Sequence, residues 1–446
     1  MFENKKIFIL GMARSGYEAC KLLLQHGNEV LITDAKDQDP LKVRELENMG
    51  ADFVVTNTPD ELLDESFDYM VKNPGIIRTH PCVQKAHKLN IPVINEVEMA
   101  YHFLPENVKI IAITGSNGKT TTTTIIYKML EAMNKRVHLG GNIGYPLSGL
   151  INQVKDHDIL VMEISDHQLC DMYEFHPETA ILTNLSEVHI DFHGSYKKYK
   201  ETKKKLFMNM DMNDLCIINH DNKDAYNLTK DLNTNKEYFS STTDCDCCIK
   251  NGAIYYHNKE VVKLEDIRIK GVHNYENIMC AIMAVKKYGV TNEVISELLE
   301  NFDGVEHRIE FVRRLDGREF YNDSKSTNNK STITALSSFE NPIILILGGL
   351  DRGQSFDELT PYMEQVRHVI CYGQTKGKIS EYCKKINKDC IVLDNLEDST
   401  KAAYNLSEKG DVILFSPACA SWDQFDNFEI RGDLFKRVVE ELKDND

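Results

Sequence analysis

Residues 108–133 read VKIIAITGSNGKTTTTTIIYKMLEAM: an apolar strand, a glycine turn, Lys119, five threonines and an apolar segment with helical spacing. Strand, glycine-rich turn, Lys-Thr and helix together make a phosphate cradle. Backbone N–H groups at the helix N-terminus face the anion, the lysine adds a point charge, and the first hydroxyl is placed to meet a cation. The usual spacing G-x-x-x-x-G-K-[ST] is broken, because Ile113 stands where the first glycine belongs. The loop is therefore read as Gly115–Thr121, with Gly115, Ser116, Asn117, Gly118, Lys119, Thr120 and Thr121 around the phosphates. A β-branched run forms helix poorly by itself. In a first turn, however, its hydroxyls can cap N–H groups or meet an ion.

Phosphoryl chemistry also needs cation ligands, and these follow downstream. Glu163 ends the strand-like DILVMEIS, and His189 lies past a second apolar strand in TNLSEVHIDFHGS. Alone, each would be a solvated acid or a surface histidine. In this order, each just past a strand, they occupy the edge where open α/β sheets bind ligands.

Upstream, KKIFILGMARSGYEACKLLLQHGNEVLITD (5–34) is strand, turn, helix, strand, acid. Gly11–Gly16 and Asp34 are similar to a dinucleotide fingerprint, with Ala13 in place of its middle glycine. By itself this stretch fits either a nicotinamide-dependent oxidoreductase or a plain tight turn. Downstream, IILILGG, HVICYG and DVILFSP mark a third α/β segment. The expected fold is thus α/β in three domains. These are a Rossmann-like N-terminal domain (1–100), a central P-loop-type mononucleotide-binding domain (101–303) and a Rossmann-like C-terminal domain (304–446).

The chain has 446 residues, 42% hydrophobic and 27% charged, with a net charge of −17, so it exceeds one core and disfavours nucleic acid or an anionic membrane as partner. No apolar run reaches the ~20 residues of a membrane span. The N-terminus lacks the pattern of a signal peptide, so a cytoplasmic location and reduced cysteines are expected. Cys245, Cys247 and Cys248 lack a second ligand pair at zinc spacing and read as a polar surface hairpin.

ITGSNGKTT, EISDHQL, NLSEVHIDFHGS, HNYEN (273–277) and EHR (306–308) together resemble the Mur ligases, ATP-dependent amide-forming enzymes of peptidoglycan precursor synthesis. YNDSKSTN (321–328), LGGLDRG (347–353) and SPACASWDQFDNFEIRG (416–432) resemble the branch that adds D-glutamate to UDP-N-acetylmuramoyl-L-alanine. A sibling ligase adding another amino acid is the nearest alternative.

The resemblance implies roles residue by residue. Lys119 and the loop would hold ATP phosphates, with Asn274, Asn277, His307, Arg308 and Asp323, and also His273, completing the nucleotide pocket. Thr120, Glu163 and His189 would bind Mg²⁺. Lys203 of YKETK would be carbamylated by CO₂, turning a repelling ammonium into an anionic ligand, with Lys204 and Lys205 leaving the register open. Ala13, Arg14, Ser15, Asp34 and Gly75 would bind the UDP-sugar, with Asn142, Ser165 and Gln168 further along it. Lys325, Thr327, Arg352, Ser421 and Phe428 would bind D-glutamate. Catalysis would rest on Lys119, Glu163, His189 and Lys203, in a protein expected to be monomeric. Cys419 is read as a buried packing residue.

Overall fold

The protein is described by a computed structural model, which covers residues 2–443. It forms two compact units, Met1–Asn301 and Phe302–Asp446.

The first unit contains two sheets. A five-stranded sheet has strand order 3-2-1-4-5, all parallel, starting from the buried strand Lys6–Leu10. The second has nine strands. Its parallel portion places Lys109–Thr114 between Ile159–Glu163 and Thr179–Leu182. Val137–Gly141 lies beyond the former, Leu215–Asn219 and Asn235–Ser240 beyond the latter. A three-strand extension, Cys247–Lys250, Ala253–Tyr256 and Lys259–Lys263, runs antiparallel at the far edge. The strands around Lys109–Thr114 are buried and largely apolar, as parallel sheets require.

The sequence suggests a boundary near residue 100. There the chain runs through the helix Glu96–Tyr101, whose first five residues are buried. One continuous core joins Ile7, Ile9 and Val30 of the first sheet to Ile110, Leu160 and Ala180 of the second. The buried pair Lys72–Asp171, at 2.9 Å, ties the same two layers.

The second unit is a six-stranded sheet, parallel except for the edge hairpin Glu310–Leu315 and Arg318–Asn322. The fully buried strand Ile343–Gly348 runs through its middle, with apolar clusters on both faces.

All twelve cysteines are free. The reading of Cys245–Cys248 as a polar surface hairpin is corrected. Cys247 and Cys248 are 0% and 2% exposed, in a strand paired on both sides, so small apolar thiols were needed for packing. Cys419 is buried, as expected. Among the described residues no helix is long and apolar enough to cross a membrane.

Candidate functional site

The broken loop spacing has a simple cause. Ile113 is fully buried inside the strand, and the turn begins two residues later at Gly115. Gly115 and Gly118 have φ of +148° and +81°, which favour glycine. A Cβ at Gly115 would collide with Thr183 Oγ1, and one at Gly118 with Asn277 Oδ1. The loop is pinned from the next strand's end. Ser116 N donates to Asn184 O (2.9 Å), Asn117 N to Asn184 Oδ1 (3.0 Å), and Thr183 Oγ1 to Asn117 O (2.6 Å). Lys119 Nζ lies over the loop, donating to Gly115 O and Ser116 O at 2.9 and 3.0 Å.

The threonine run divides. Thr120 and Thr121 begin the helix Lys119–Ala132, whose N-cap Gly118 offers no side chain. Thr122 and Thr123 are fully buried. Thr123 Oγ1 donates back to Lys119 O (2.8 Å), and Thr122 Oγ1 to Asn277 Oδ1 (3.4 Å) on the helix Val272–Lys286. Those two hydroxyls serve packing rather than an anion.

Glu163 ends its strand opposite Ile113 and is 1% exposed. Asn142 Nδ2 donates to Glu163 Oε1 at 2.6 Å, orienting the carboxylate. Lys203 is fully buried, with Nζ 3.0 Å from Thr114 Oγ1 and 3.6 Å from Asp166 Oδ1. Lys205 instead reaches Cys170 O and Met172 O, so the register left open in the sequence falls on Lys203 as the lysine beside the loop. Burial, then repulsion from Lys119, brings the Lys203 amine down to about 7, with Asp166 and Glu163 opposing. Tyr199, one helical turn earlier, hydrogen-bonds Ser116 Oγ at 2.8 Å.

Asp166, His167 and His193 were not foreseen. Asp166 is buried, and its Oδ2 meets His189 Nδ1 (2.9 Å), His193 Nε2 (2.8 Å) and His167 Nδ1 (3.3 Å). Burial works to raise its pKa, but the hydrogen bonds of the three histidines, with Lys203, hold it far below the usual carboxylate range. Histidine and aspartate in EISDHQL and IDFH were the available signal. Ser165 and Gln168, read as acceptor contacts, form a capping box on the short helix Asp166–Cys170.

The glycine turn of the first sheet borders a cleft of about 390 Å³. Ala13 and Asp34 line it, as do Thr56, Asn57, Asn73 and His80. Asp34 also holds the turn, accepting from Met12 N at 2.9 Å. Arg14 donates to Gly144 O (2.6 Å) and lies over the Tyr145 ring. Gly75 is exposed, its N–H donating to Asn73 Oδ1.

In the second unit, Asp323 is buried and accepts from Ser326 Oγ (2.5 Å), Ser416 Oγ (2.7 Å) and Ile309 N (3.2 Å). Burial lifts it to about 6. His307, buried at φ +62°, faces Asn322 Nδ2 at 2.9 Å, and burial lowers its pKa. Arg308 lies next to it and draws the Asp323 carboxyl down by its charge. Lys325 sits over Phe428 (5.4 Å) and Arg352 over Trp422 (4.7 Å), while Ser421 is buried and Thr327 half-buried. Arg431, unforeseen, is fully buried and binds Ser324 through Nε and Nη2. In the first unit, Asn277 adjoins the loop, whereas Asn274 donates to Lys270 O.

Three family descriptions match the chain: Mur ligase MurD-like N-terminal domain over 5–95, Mur ligase middle domain over 113–285, and Mur ligase, glutamate ligase domain over 307–419. A Geobacillus kaustophilus protein named UDP-N-acetylmuramoylalanine--D-glutamate ligase is 42% identical, covering 99% of both chains. A Bacillus cereus protein of that name is 41% identical, over 99% of this chain and 98% of its own. Among solved structures, UDP-N-acetylmuramate-alanine ligase MurC from Thermotoga maritima is similar in fold, with TM-score 0.62 at 19% identity and 98% of each chain covered. MurF ligase from the same organism, in complex with ADP, gives 0.59 at 18% identity, covering 98% of this chain and 96% of its own. The fingerprint turn, the shortened phosphate loop and the DSKSTN segment all lie within these matches, and the chain belongs to the Mur ligase family, in its MurD-like branch.

Proposed function

We propose that the protein is an ATP-dependent ligase joining D-glutamate to the L-alanine carboxylate of UDP-N-acetylmuramoyl-L-alanine, with release of ADP and phosphate. The observation that carries this reading is the 42% identity, end to end, with a protein bearing that name. The motifs of the second unit support the same amino acid. A cytoplasmic monomer suits nucleotide substrates and a site drawn from one chain.

A carboxylate resists attack by an amine because it is already anionic. In the proposed reaction its oxygen attacks the γ-phosphorus of ATP and ADP leaves. The D-glutamate nitrogen then attacks the resulting acyl phosphate carbon, phosphate departs, and the nitrogen loses a proton to give the amide. Positioning and charge neutralisation provide most of the rate.

In this reading the cleft at Asp34 holds the UDP-sugar and residues 1–100 serve the acceptor. Residues 101–303 hold ATP, through Lys119 and Gly115–Thr121 with Asn277, and 304–446 serve D-glutamate and part of the nucleotide. Lys325, Arg352, Thr327 and Ser421 suit a dicarboxylate, since cations and hydroxyls answer its two anionic ends. His307, Arg308 and Asp323 would serve the nucleotide.

The donors also fit Mg²⁺. Glu163 is a buried carboxylate held by Asn142 at the strand end beside the loop, and Thr120 is the first hydroxyl after Lys119. When bound, the cation neutralises phosphate charge. Lys203, with its amine near 7, exists partly as the free base at neutral pH. CO₂ adds to that nitrogen with loss of a proton, leaving a carbamate whose oxygens are anionic ligands beside His189.

Phosphate release from ATP tests the whole. Release that needs both UDP-N-acetylmuramoyl-L-alanine and D-glutamate, with the matching product mass, is expected. Release with another amino acid moves the chain to a sibling activity, and no release with any acceptor overturns the reading.

A further inference from the structure

We propose that Cys390 and Cys371 form a redox site in the second unit, oxidised by a peroxide to a reversible disulfide that loosens the turn bearing Arg352. The disulfide itself depends on the thiols alone. Only its effect on amino-acid use rests on the ligase reading above.

Cys390 is the point of entry. Of the twelve cysteines, all but Cys245 and Cys390 are buried. Cys245 Sγ donates to Cys247 O at 3.0 Å, and burial pushes its thiol up to about 12, so it stays protonated. Cys390 lies on Asp389–Val392, which ends the strand order of the six-stranded sheet beside Val366–Tyr372. Cys371 Sγ is 3.5 Å from its sulfur, and Cys383, on the helix Lys376–Lys385, completes a thiol cluster. Hydrogen bonding from Cys371 and then Cys383 draws the Cys390 thiol well below its ordinary range, against burial. The thiolate is the form that attacks a peroxide.

The chemistry closes on these two residues. The Cys390 thiolate attacks one peroxide oxygen; S–O forms, O–O breaks, and the other oxygen leaves as hydroxide, taking up the proton that the thiol released. The Cys371 sulfur then attacks the sulfenic sulfur. S–S forms, S–O breaks, and the departing hydroxide takes the Cys371 proton as a second water. Two thiols are oxidised and one peroxide is reduced. Cys371 is fully buried, so the sulfenic acid meets it before any thiol from solvent. Val369 is in register with Cys390 and Cys371 with Val392, which puts both sulfurs on one face as diagonal neighbours. Shortening 3.5 Å to the roughly 2.05 Å of a disulfide takes about 1.5 Å, and an outermost strand is the element able to give it. In a reducing compartment such a bond is transient and reports oxidation.

The same sulfur supports the amino-acid side of the unit. Cys371 Sγ is also 3.4 Å from Lys376 O, so its S–H donates either there or toward Cys390. Disulfide formation removes that proton and draws the sulfur toward the outer strand. Residues 373–378, just beyond, brace the turn ahead of Arg352. Thr375 Oγ1 is 3.2 Å from both Gly349 N and Gly349 O, Gln374 Oε1 accepts from Asp351 N at 3.4 Å, and Lys378 Nζ donates to Asp351 Oδ1 at 2.8 Å.

The full chain is treated with hydrogen peroxide, its remaining thiols are alkylated, and its tryptic peptides are mapped by mass. Trypsin separates the three thiols, with Cys371 in 368–376, Cys383 in 379–384 and Cys390 in 389–401. A link between 368–376 and 389–401 is expected, with two thiols lost and both restored by dithiothreitol. Cys390→Ser should keep Cys371 reduced. In the double variant Cys371→Ser, Cys383→Ser, dimedone should label Cys390 as its sulfenic acid. No link, a link between any other pair, loss of the Cys371 thiol in Cys390→Ser, or no label in the double variant would each overturn the site. Oxidation should also raise the KM for D-glutamate in phosphate release about two- to tenfold, the worth of one hydrogen bond, and leave the KM for ATP unchanged. Unchanged KM for D-glutamate in the linked protein would overturn the coupling to Arg352. Absence of phosphate release even from the reduced protein, with the link still forming, rejects the ligase reading and leaves the redox site standing.

Discussion

Lowering the pH at a fixed concentration of dissolved CO₂ titrates the Lys203 amine and its carbamate together. The neutral amine loses one proton when it takes up CO₂, and the ammonium must lose one more beforehand. The ratio of carbamate to unmodified lysine therefore changes about tenfold per pH unit above the amine's pKa and approaches about a hundredfold per unit below it. Lys203 is fully buried beside Thr114 Oγ1, and burial with the Lys119 charge brings it to about 7. From pH 9 to 8 the ratio should thus fall about tenfold, where an ordinary lysine near 10.4 would give about a hundredfold. Between pH 7 and 6 the slope should steepen to about fiftyfold. The assay is ¹³C NMR of the protein under ¹³CO₂ without divalent cations. Lys203→Met is subtracted to remove the α-amino group, which also reacts. A hundredfold fall between pH 9 and 8, or a spectrum unchanged in Lys203→Met, would refute the argument. The same pKa fixes a stability slope. The unfolded chain keeps the lysine proton from about 7 up to the ordinary lysine value while the fold does not, so stability should rise with pH across that window and rise less in Lys203→Met.

Three further perturbations separate packing from chemistry. Gly118→Ala places a Cβ against Asn277 Oδ1 at φ +81°, and strain of about 1–3 kcal/mol should appear as a lower melting temperature and weaker nucleotide binding by calorimetry. Wild-type values for both would refute that. Glu96 is buried, accepts from Ser148 N and Oγ at 2.6 Å, and is pushed up to about 7 by burial. The fold therefore binds a proton that the unfolded chain releases above about 4.5. Stability present at lower pH should decline by up to about 3 kcal/mol as pH rises through about 7, and Glu96→Gln should flatten that decline in denaturant titrations. An unchanged slope would refute it. Asn142→Ala removes the 2.6 Å bond that orients Glu163, so the Mg²⁺ needed for half-maximal phosphate release should rise about 10- to 100-fold. An unaltered requirement would show that Asn142 does not act through Glu163.

The parts of the fold that were legible share one property: their signal is local. Ile7–Leu10, Ile110–Ile113 and Ile343–Leu347 are apolar runs ended by glycine turns, and any sheet buried on both faces needs such runs. Lys119 and Glu163 were legible for the same reason, since strand ends beside a glycine loop form the binding edge of an open sheet. Features that depend on a distant neighbour were misread or missed. The Cys245–Cys248 segment looked polar and exposed because its two flanking strands, which bury Cys247 and Cys248, are not visible in its own sequence. The mutual capping of Ser165 and Gln168 likewise appears only once a helix starts between them.

Asp166 shows why the acidic centre escaped a linear reading. Its histidine partners at 189 and 193 lie 23 and 27 residues away, and Lys203 approaches from a third segment. His189 and His193 do stand at H-x-x-x-H spacing, but Asp166 and Lys203 come from other stretches. They converge because the strands Lys109–Thr114, Ile159–Glu163 and Thr179–Leu182 are neighbours in the sheet, so the chain leaving each strand emerges at one edge. Sheet order therefore sets the site's charge balance. A carboxylate placed against Lys203 supplies a negative charge whether or not CO₂ has modified that lysine.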